Sequence, residues 1–215
     1  MDYRLQNYKT RREYFDKYFH WSLAFYDCDP SLFLLNYIHT RMELNTEQRY
    51  WIAWLYGNTY QLATAWVIAN EFPDFENVDI DRLTKWNNEN YKRLRYQSDQ
   101  KWQKGHLPAM FNSYRYEVKV HGSQQAFFES ICTSDDPYEN FDKLYAYIKR
   151  HFYKFGRYSA WFYLQTLKET CGLNIAPRNL ILHEDNTHTQ RAGLCYILAK
   201  DELAADKNLH KDKGI

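Results

Sequence analysis

Glycine and proline are scarce in this chain, at 7 and 5 of 215 residues. With few β-branched runs beside them, helical periodicity dominates the pattern and points to an all-α fold. The four cysteines, Cys28, Cys132, Cys171 and Cys195, stand far apart and form no C-x-x-C pair. They read as reduced thiols in a cytosolic setting, without a zinc site. No apolar run reaches the roughly 18 residues that a membrane span needs. The opening stretch "MDYRLQNYKTRREYF" also lacks an apolar signal region, so the protein is expected to be neither secreted nor membrane-spanning. Phosphate-binding loops are missing: there is no G-x-x-x-x-G-K-[ST] and no G-x-G-x-x-G, which speaks against a P-loop nucleotide kinase. There is no H-E-x-x-H and no G-x-S-x-G. Nor is one sign of charge in excess. Lys and Arg number 28 against 27 Asp and Glu, for a net charge of +1, so a globally basic nucleic-acid binder is not indicated, while a local basic face stays open.

Aromatic residues are plentiful: 20 Tyr, 13 Phe and 7 Trp. Most such rings fill a core, but Tyr and Trp also serve as stacking platforms and interface anchors. The length suits one domain with a sizeable core. We expect residues 1–205 to form a single helical domain and 206–215 a flexible tail.

Helix signals punctuate the chain. Tyr8 to Phe25 reads as a first helix with Tyr14, Phe15, Tyr18 and Trp21 or Phe25 inward. Asp29 and Pro30 open a second, with Leu34, Leu35, Ile38 and Met42 toward the core. Asn45, with Gln48 three residues on, resembles a capping box, and the helix it opens is expected to run to about Asn70, before Pro73. Asp79 or Asp81 caps a helix from about Arg82 to Lys101. A short helix ends near Tyr114, and another starts at Ser123. Asp136, Pro137 and Glu139 start a further one, and a helix before Gly172 follows the "YKFGR" turn. Asn174 to Gln190 reads as irregular, with a last helix near Arg191.

Several constellations invite a chemical reading beside a plain one. Arg82 to Lys104 carries Arg82, Lys85, Lys92, Arg93, Arg95, Lys101 and Lys104, with Trp86, Tyr91, Tyr96 and Trp102 interleaved. Such a pattern suits a nucleic-acid backbone and unstacked bases, or simply a solvated basic face. "YIKRHFYKFGRYSAWFYLQ" reads as two helices around a turn bearing Lys149, Arg150, Lys154, Gly156 and Arg157. It can present backbone N–H groups to a phosphate, or be an ordinary helical hairpin with a basic corner. Around the third helix cluster Arg41, Glu43, Glu47, Gln48, Arg49, Asn70, Glu71, Asp74 and Asp79. Carboxylates against apolar walls can act as general bases and Arg forks can clamp phosphates, or these residues cap helices and pair with one another. His183 and His188, with Glu184 and Asp185 between, lie in a polar loop, and no metal is assigned there.

The stretch "DPSLFLLNYIHTRMELNTEQRYWIAWLYGNTYQLATAWVIANEFPDFENVD" resembles a family found mainly in bacterial viruses, the α-glutamyl/putrescinyl-thymine pyrophosphorylases or amino acid:DNA transferases. The likeness continues through "YKRLRYQSDQKWQKGHLPAMFNSYR", "KFGRYSAWFYLQ" and, more loosely, "HTQRAGL", and so covers about Asp29 to Leu194. It implies a helical fold similar to the helix-hairpin-helix DNA glycosylases. It also implies a phage-encoded enzyme in the host cytoplasm, acting on double-stranded DNA. There, an amine from an amino acid or polyamine replaces the pyrophosphate on a 5-hydroxymethyluracil-derived base, giving a hypermodified thymine. The base would be flipped out, with Trp51, Tyr56, Tyr60 or Trp102 stacking on it. Arg41, Arg49, Arg95 and Arg115 would support the leaving pyrophosphate, and Glu47, Glu71 or Asp99 would accept the amine's proton. Gln48 completes the expected catalytic group. Lys101, Lys154, Gly156, Arg157 and Arg191 would serve the pyrophosphate or the DNA backbone. No cofactor is required by these residues, and Mg²⁺ beside the pyrophosphate stays open.

The chain departs from the glycosylase pattern in two places. Its turn has the one glycine Gly156 where a glycosylase hairpin has two. Glu169 in "LQTLKETCGLN" is poorly placed for the acid of glycosidic cleavage. Both departures point to other chemistry on a glycosylase-like scaffold. The competing expectation is a non-catalytic helical DNA-binding or scaffold subunit of a DNA-modification complex. A helical accessory domain of a DNA-base kinase would have no phosphoryl transfer of its own without a P-loop.

Overall fold

A computed structural model describes residues 8–25, 29–96, 105–179, 181 and 193. Asp99, Lys101, Trp102, Arg191, the His183–His188 pair, the last helix and the tail lie outside them. Among the described residues the regular structure is helical throughout: α1 (Tyr8–Phe25), α2 (Pro30–Arg41), α3 (Thr46–Thr59), α4 (Leu62–Glu71), α5 (Ile80–Asn90), α6 (His106–Lys119), α7 (Gln124–Ile131), α8 (Pro137–His151) and α9 (Arg157–Cys171). The all-α expectation is thus met. None of these helices is long and apolar enough to cross a membrane. By packing, the chain divides into a unit of Pro30–Arg178 and a second of Met1–Asp29 with Asn179–Ile215.

In the larger unit α3 is the axis. Every residue from Tyr50 to Thr59 is buried, so the helix has no solvent face and needs neighbours on all sides. The α4, α7 and α9 helices supply them. Trp51 stacks on Trp54 with ring centres 5.3 Å apart, and Trp54 stacks on Tyr114 of α6 at 5.2 Å. Phe75 and Phe111 close against the same pair. Each such buried side chain stabilises the fold by roughly 1.5–3 kcal/mol.

The closest approach is between α3 and α9. A β-carbon added at Gly57 would stand 2.8 Å from Cδ2 of Tyr163. Glycine here is a spacing device that lets the two helix axes meet. Asn58 is fully buried beside it and donates from Nδ2 to the Trp54 carbonyl at 2.9 Å.

The long helix expected to reach Asn70 is broken in two. Tyr60 adopts φ 52°, in the left-handed region, and its N–H bonds to the Tyr56 carbonyl. Thr59 Oγ1 donates to the Gln61 carbonyl at 3.1 Å and accepts from the Gln61 N–H at 3.3 Å. The break reverses the chain so that α4 folds back along α3. Trp51 Nε1 then donates to the Phe72 carbonyl at the end of α4, at 2.7 Å. The reversal serves packing, and neither glycine nor proline marks it.

Other boundaries differ for similar reasons. The α5 helix ends at Asn90, well short of Lys101, because residues 91–94 turn. The short helix expected before Tyr114 runs on to Lys119. In α2 the buried face is Leu32, Leu35 and His39, while Leu34 and Met42 are exposed. In α1 the rings expected inward, Tyr14, Phe15, Tyr18, Trp21 and Phe25, are exposed; Trp21 packs along the helix on Tyr18 and Phe25, and Phe15 on Phe19. Periodicity reports spacing along a helix, and the choice of covered face belongs to whatever packs on it. The Asp79, Ser123 and Asp136 caps stand as expected, although Glu139 binds Ser134 and Lys143 rather than completing a box.

The tight α3–α9 contact gives a stability prediction. Gly57→Ala forces overpacking worth roughly 1–3 kcal/mol, offset by about 1 kcal/mol of helix propensity. Urea unfolding should show a net loss of up to about 2 kcal/mol, and the loss should be smaller when Gly57→Ala is measured in a Tyr163→Ala background, which removes the Cγ and Cδ2 it would meet.

Candidate functional site

At its first turn α3 carries the capping box read from the sequence. Asn45 Oδ1 accepts from the Gln48 N–H at 2.9 Å, and Gln48 Oε1 accepts from the Asn45 N–H at 3.0 Å. Glu47 points the other way. Its carboxylate accepts from the backbone N–H groups of Gln124 and Gln125 at 3.0 and 2.9 Å, and from Gln124 Nε2 at 3.1 Å. It therefore caps the N-terminus of α7, where orphan N–H groups and the helix dipole favour an anion. Gln124 itself is fully buried, and its Oε1 accepts from the Tyr114 hydroxyl at 3.0 Å. The result is a Tyr114–Gln124–Glu47 network that ties α6, α7 and α3 together. Gln124 drew no notice in the sequence because only the pairing with Glu47, 77 residues away, gives it a role.

Beside this turn lie two adjoining cavities of about 400 and 120 Å³, sharing Gln48 and Pro73. The larger is lined by Asn45, Glu47, Asp74 and Glu76 and the smaller by Trp66 and Asn70. Arg49 is tied to the fold through its Nε, which donates to the Leu44 carbonyl at 2.9 Å. Arg41 is exposed at the end of α2. Glu71 pairs with Arg82, which also reaches the Glu71 carbonyl. Arg115 donates to the carbonyls of Val78 and Glu76 at 2.8 and 3.3 Å and so pins the 73–78 loop. Of the expected catalytic group, Glu47, Arg49, Glu71 and also Arg115 thus hold polar groups of the fold itself. The larger cavity, which Glu47 lines with Asp74 and Glu76, is rich in carboxylates, which disfavours a pyrophosphate.

The expected stacking rings belong to the core: Trp51, Tyr56 and Tyr60 are 1, 2 and 5% exposed. Tyr60 O–H and Ser159 Oγ lie 2.5 Å apart, and burial pushes the Tyr60 hydroxyl up to about 12. No face of these rings is open to a base.

Among the exposed aromatics, Tyr153 and Tyr158 lie on the α8–α9 hairpin. Phe152 and Phe155 bury the inner side of its turn, packing on each other and on Tyr163. Ser113 of α6 clamps the turn, donating to the His151 carbonyl at 3.0 Å and accepting from the Tyr153 N–H at 2.9 Å. Lys149, Arg150 and His151 end α8, and Lys154 sits at the tip with φ 65°. Such a backbone costs a non-glycine residue roughly 1–2 kcal/mol. Gly156 is the N-cap of α9. Arg157 follows, its guanidinium 5.6 Å from the centre of the Trp161 ring. Tyr153 and Tyr158, 47 and 56% exposed, flank the basic side chains. Tyr158 is held by Tyr60 and Phe162 at ring distances of 5.2 and 6.3 Å. Both tyrosines stand in the stretch quoted for the hairpin, next to its lysines and arginines, which is the signal that marks them. Arg95 belongs to this end too: its backbone N–H and carbonyl both bond to Thr64 Oγ1 near the start of α4.

The residues expected in one site therefore fall at the two ends of α3, about 20 Å apart for a 14-residue helix. An acidic groove lies at one end and a basic, tyrosine-flanked corner at the other. Among the described residues no three His, Cys, Asp or Glu side chains converge as a metal site.

An all-α protein organised on a basic helical hairpin is what this geometry defines. Over residues 32–212 the sequence matches the amino acid:DNA transferase family, to which the chain belongs. A serinyltransferase of Salmonella phage ViI is 25% identical over 173 residues, covering 78% of this chain. The chain spans 42% of that relative's length. No solved structure matches.

Two outcomes follow. Glu47→Gln keeps the size but loses the charge that caps α7, and should lower stability by about 1–3 kcal/mol in urea unfolding. A residue that acted only as a base would leave stability unchanged. The second concerns His39, whose Nδ1–H donates to the Thr170 carbonyl at 3.2 Å. Burial, opposed by that bond and aided by Arg49, lowers its pKa to about 4 from 6.5. Protonation therefore favours the unfolded chain. The contribution is intact above pH 6.5 and declines as pH falls toward 4, by up to about 3 kcal/mol. Comparing unfolding near pH 7 and near pH 4, His39→Gln should show a loss smaller by about that amount.

Proposed function

We propose that the chain binds DNA through the α8–α9 corner and takes part in transferring an amine onto a modified thymine. The reading is carried by the basic, tyrosine-flanked hairpin in a chain of the amino acid:DNA transferase family. Lys154, Arg157 and the cations ending α8 neutralise backbone phosphates, and Arg95 extends the patch. The α9 N-terminus at Gly156 adds backbone N–H groups toward a phosphate. Tyr158 and Tyr153 offer ring faces to unstacked bases.

The reaction proposed forms a C–N bond between the donor amine and the 5-methylene carbon of a pyrophosphorylated 5-hydroxymethyluracil. The C–O bond breaks, pyrophosphate leaves with the electron pair, and the amine gives up a proton. Arg95, at the same end as the hairpin, is the cation proposed to meet the departing pyrophosphate. The serinyltransferase relative favours an amino acid over a polyamine as donor, with serine the first to try. A second reading, a DNA-binding subunit that completes its site with another chain, is favoured by one observation. Glu47 and Glu71, the carboxylates expected as bases, are bound to other groups of the fold.

Purified protein, DNA carrying the pyrophosphorylated base, and serine should yield a new nucleoside by mass spectrometry, with pyrophosphate released. Unchanged nucleosides with intact DNA binding would establish the second reading instead. For the DNA contact, Lys154→Gly relieves the left-handed strain while removing a charge. It should hold or raise the melting temperature, yet lower the slope of log affinity against log salt by about 0.9. An unchanged slope would remove Lys154 from the interface.

A further inference from the structure

Beyond the hairpin corner, α9 borders a separate cavity of about 280 Å³, walled by Phe141 of α8, by Trp161 and Leu164, and by Ile175. Two residues of opposite charge, Lys168 and Glu169, sit at its rim, with Nζ and Oε1 3.2 Å apart. The Glu169 side chain is 16% exposed and that of Lys168 44%. Trp161 lines the cavity, and its indole N–H is buried without an acceptor among the described residues. An unmet buried donor costs about 1–3 kcal/mol. The same ring carries the Arg157 guanidinium at 5.6 Å and meets the edge of Phe141 at 5.1 Å. One indole thus joins this cavity to the basic corner.

We infer that this cavity binds a free α-amino acid. Its volume, near the lower end of the roughly 300–1,000 Å³ of small-molecule sites, accommodates a ligand of few atoms. The walls are apolar and the polar groups are few and gathered at one side, as in small-molecule sites. A zwitterion matches the rim: its carboxylate meets Lys168 and its ammonium meets Glu169. A diamine matches poorly, because its second ammonium would lie beside Lys168 with no second carboxylate. Where the chain acts as an amino acid transferase, the cavity would hold the donor one side chain away from the DNA-binding corner. That role rests on the proposed function, whereas the binding itself does not.

The test needs neither DNA nor turnover. Protein with ¹⁵N-labelled tryptophan is titrated with L-serine, a panel of other amino acids and putrescine, and the Trp161 indole signal is assigned with Trp161→Phe. At least one amino acid should shift that signal saturably and putrescine should not. Lys168→Gln and Glu169→Gln should each weaken the binding about tenfold, with unfolding curves close to wild type. No saturable shift with any amino acid, an equal response to putrescine, or unchanged affinity in both variants would overturn the inference. Saturable binding without transfer to DNA would sink the transferase reading alone. Transfer with an unchanged amino acid KM in both variants would sink the cavity alone.

Discussion

The fold depends on keeping α3 dry on every side. A helix buried from Tyr50 through Thr59 leaves no face for water, so polar atoms on it depend on partners inside, which the Trp54 indole N–H lacks among the described residues. Trp51 and Asn58 find backbone carbonyls, Tyr60 finds Ser159, and Gly57 yields its side chain so that α9 can approach. Moving α9 outward by even a methyl group would loosen the stack of Trp51, Trp54 and Tyr114 behind it, since close-packed interiors transmit such changes.

This constraint explains where the conspicuous charges went. Glu47 lies at the mouth of α3, yet its carboxylate anchors α7, because the N–H groups of Gln124 and Gln125 would otherwise be left without acceptors. The end of α9 is treated likewise. Asn36 donates to the Glu169 carbonyl at 2.8 Å and His39 to that of Thr170, so α2 caps α9 from the side. Cys171 is half-buried there, with burial pushing its thiol up to about 12, which leaves little reactive thiolate.

The surface left for chemistry is what the core does not consume. The hairpin turn buries Phe152 and Phe155 and so turns Tyr153, Lys154 and Tyr158 outward. Ser113 fixes that turn to α6, which gives the exposed cations a rigid base rather than a loose loop. Trp161 lies under Arg157 and beside the small cavity, so binding at one has a direct packing route to the other.

The helical class, the Asn45, Asp79, Ser123 and Asp136 caps and the basic hairpin were legible in the sequence, because each rests on contacts within a few residues. The family was legible as well, through unusual local strings. The reversal at Tyr60 was not, since a left-handed tyrosine is stabilised by its distant bond to Ser159. Nor were the exposure of the α1 rings or the use of Glu47 as a cap for α7. Residue type and spacing determined which groups were available and which helices formed. Only tertiary packing decided which of them face water, because burial is set by partners remote in sequence.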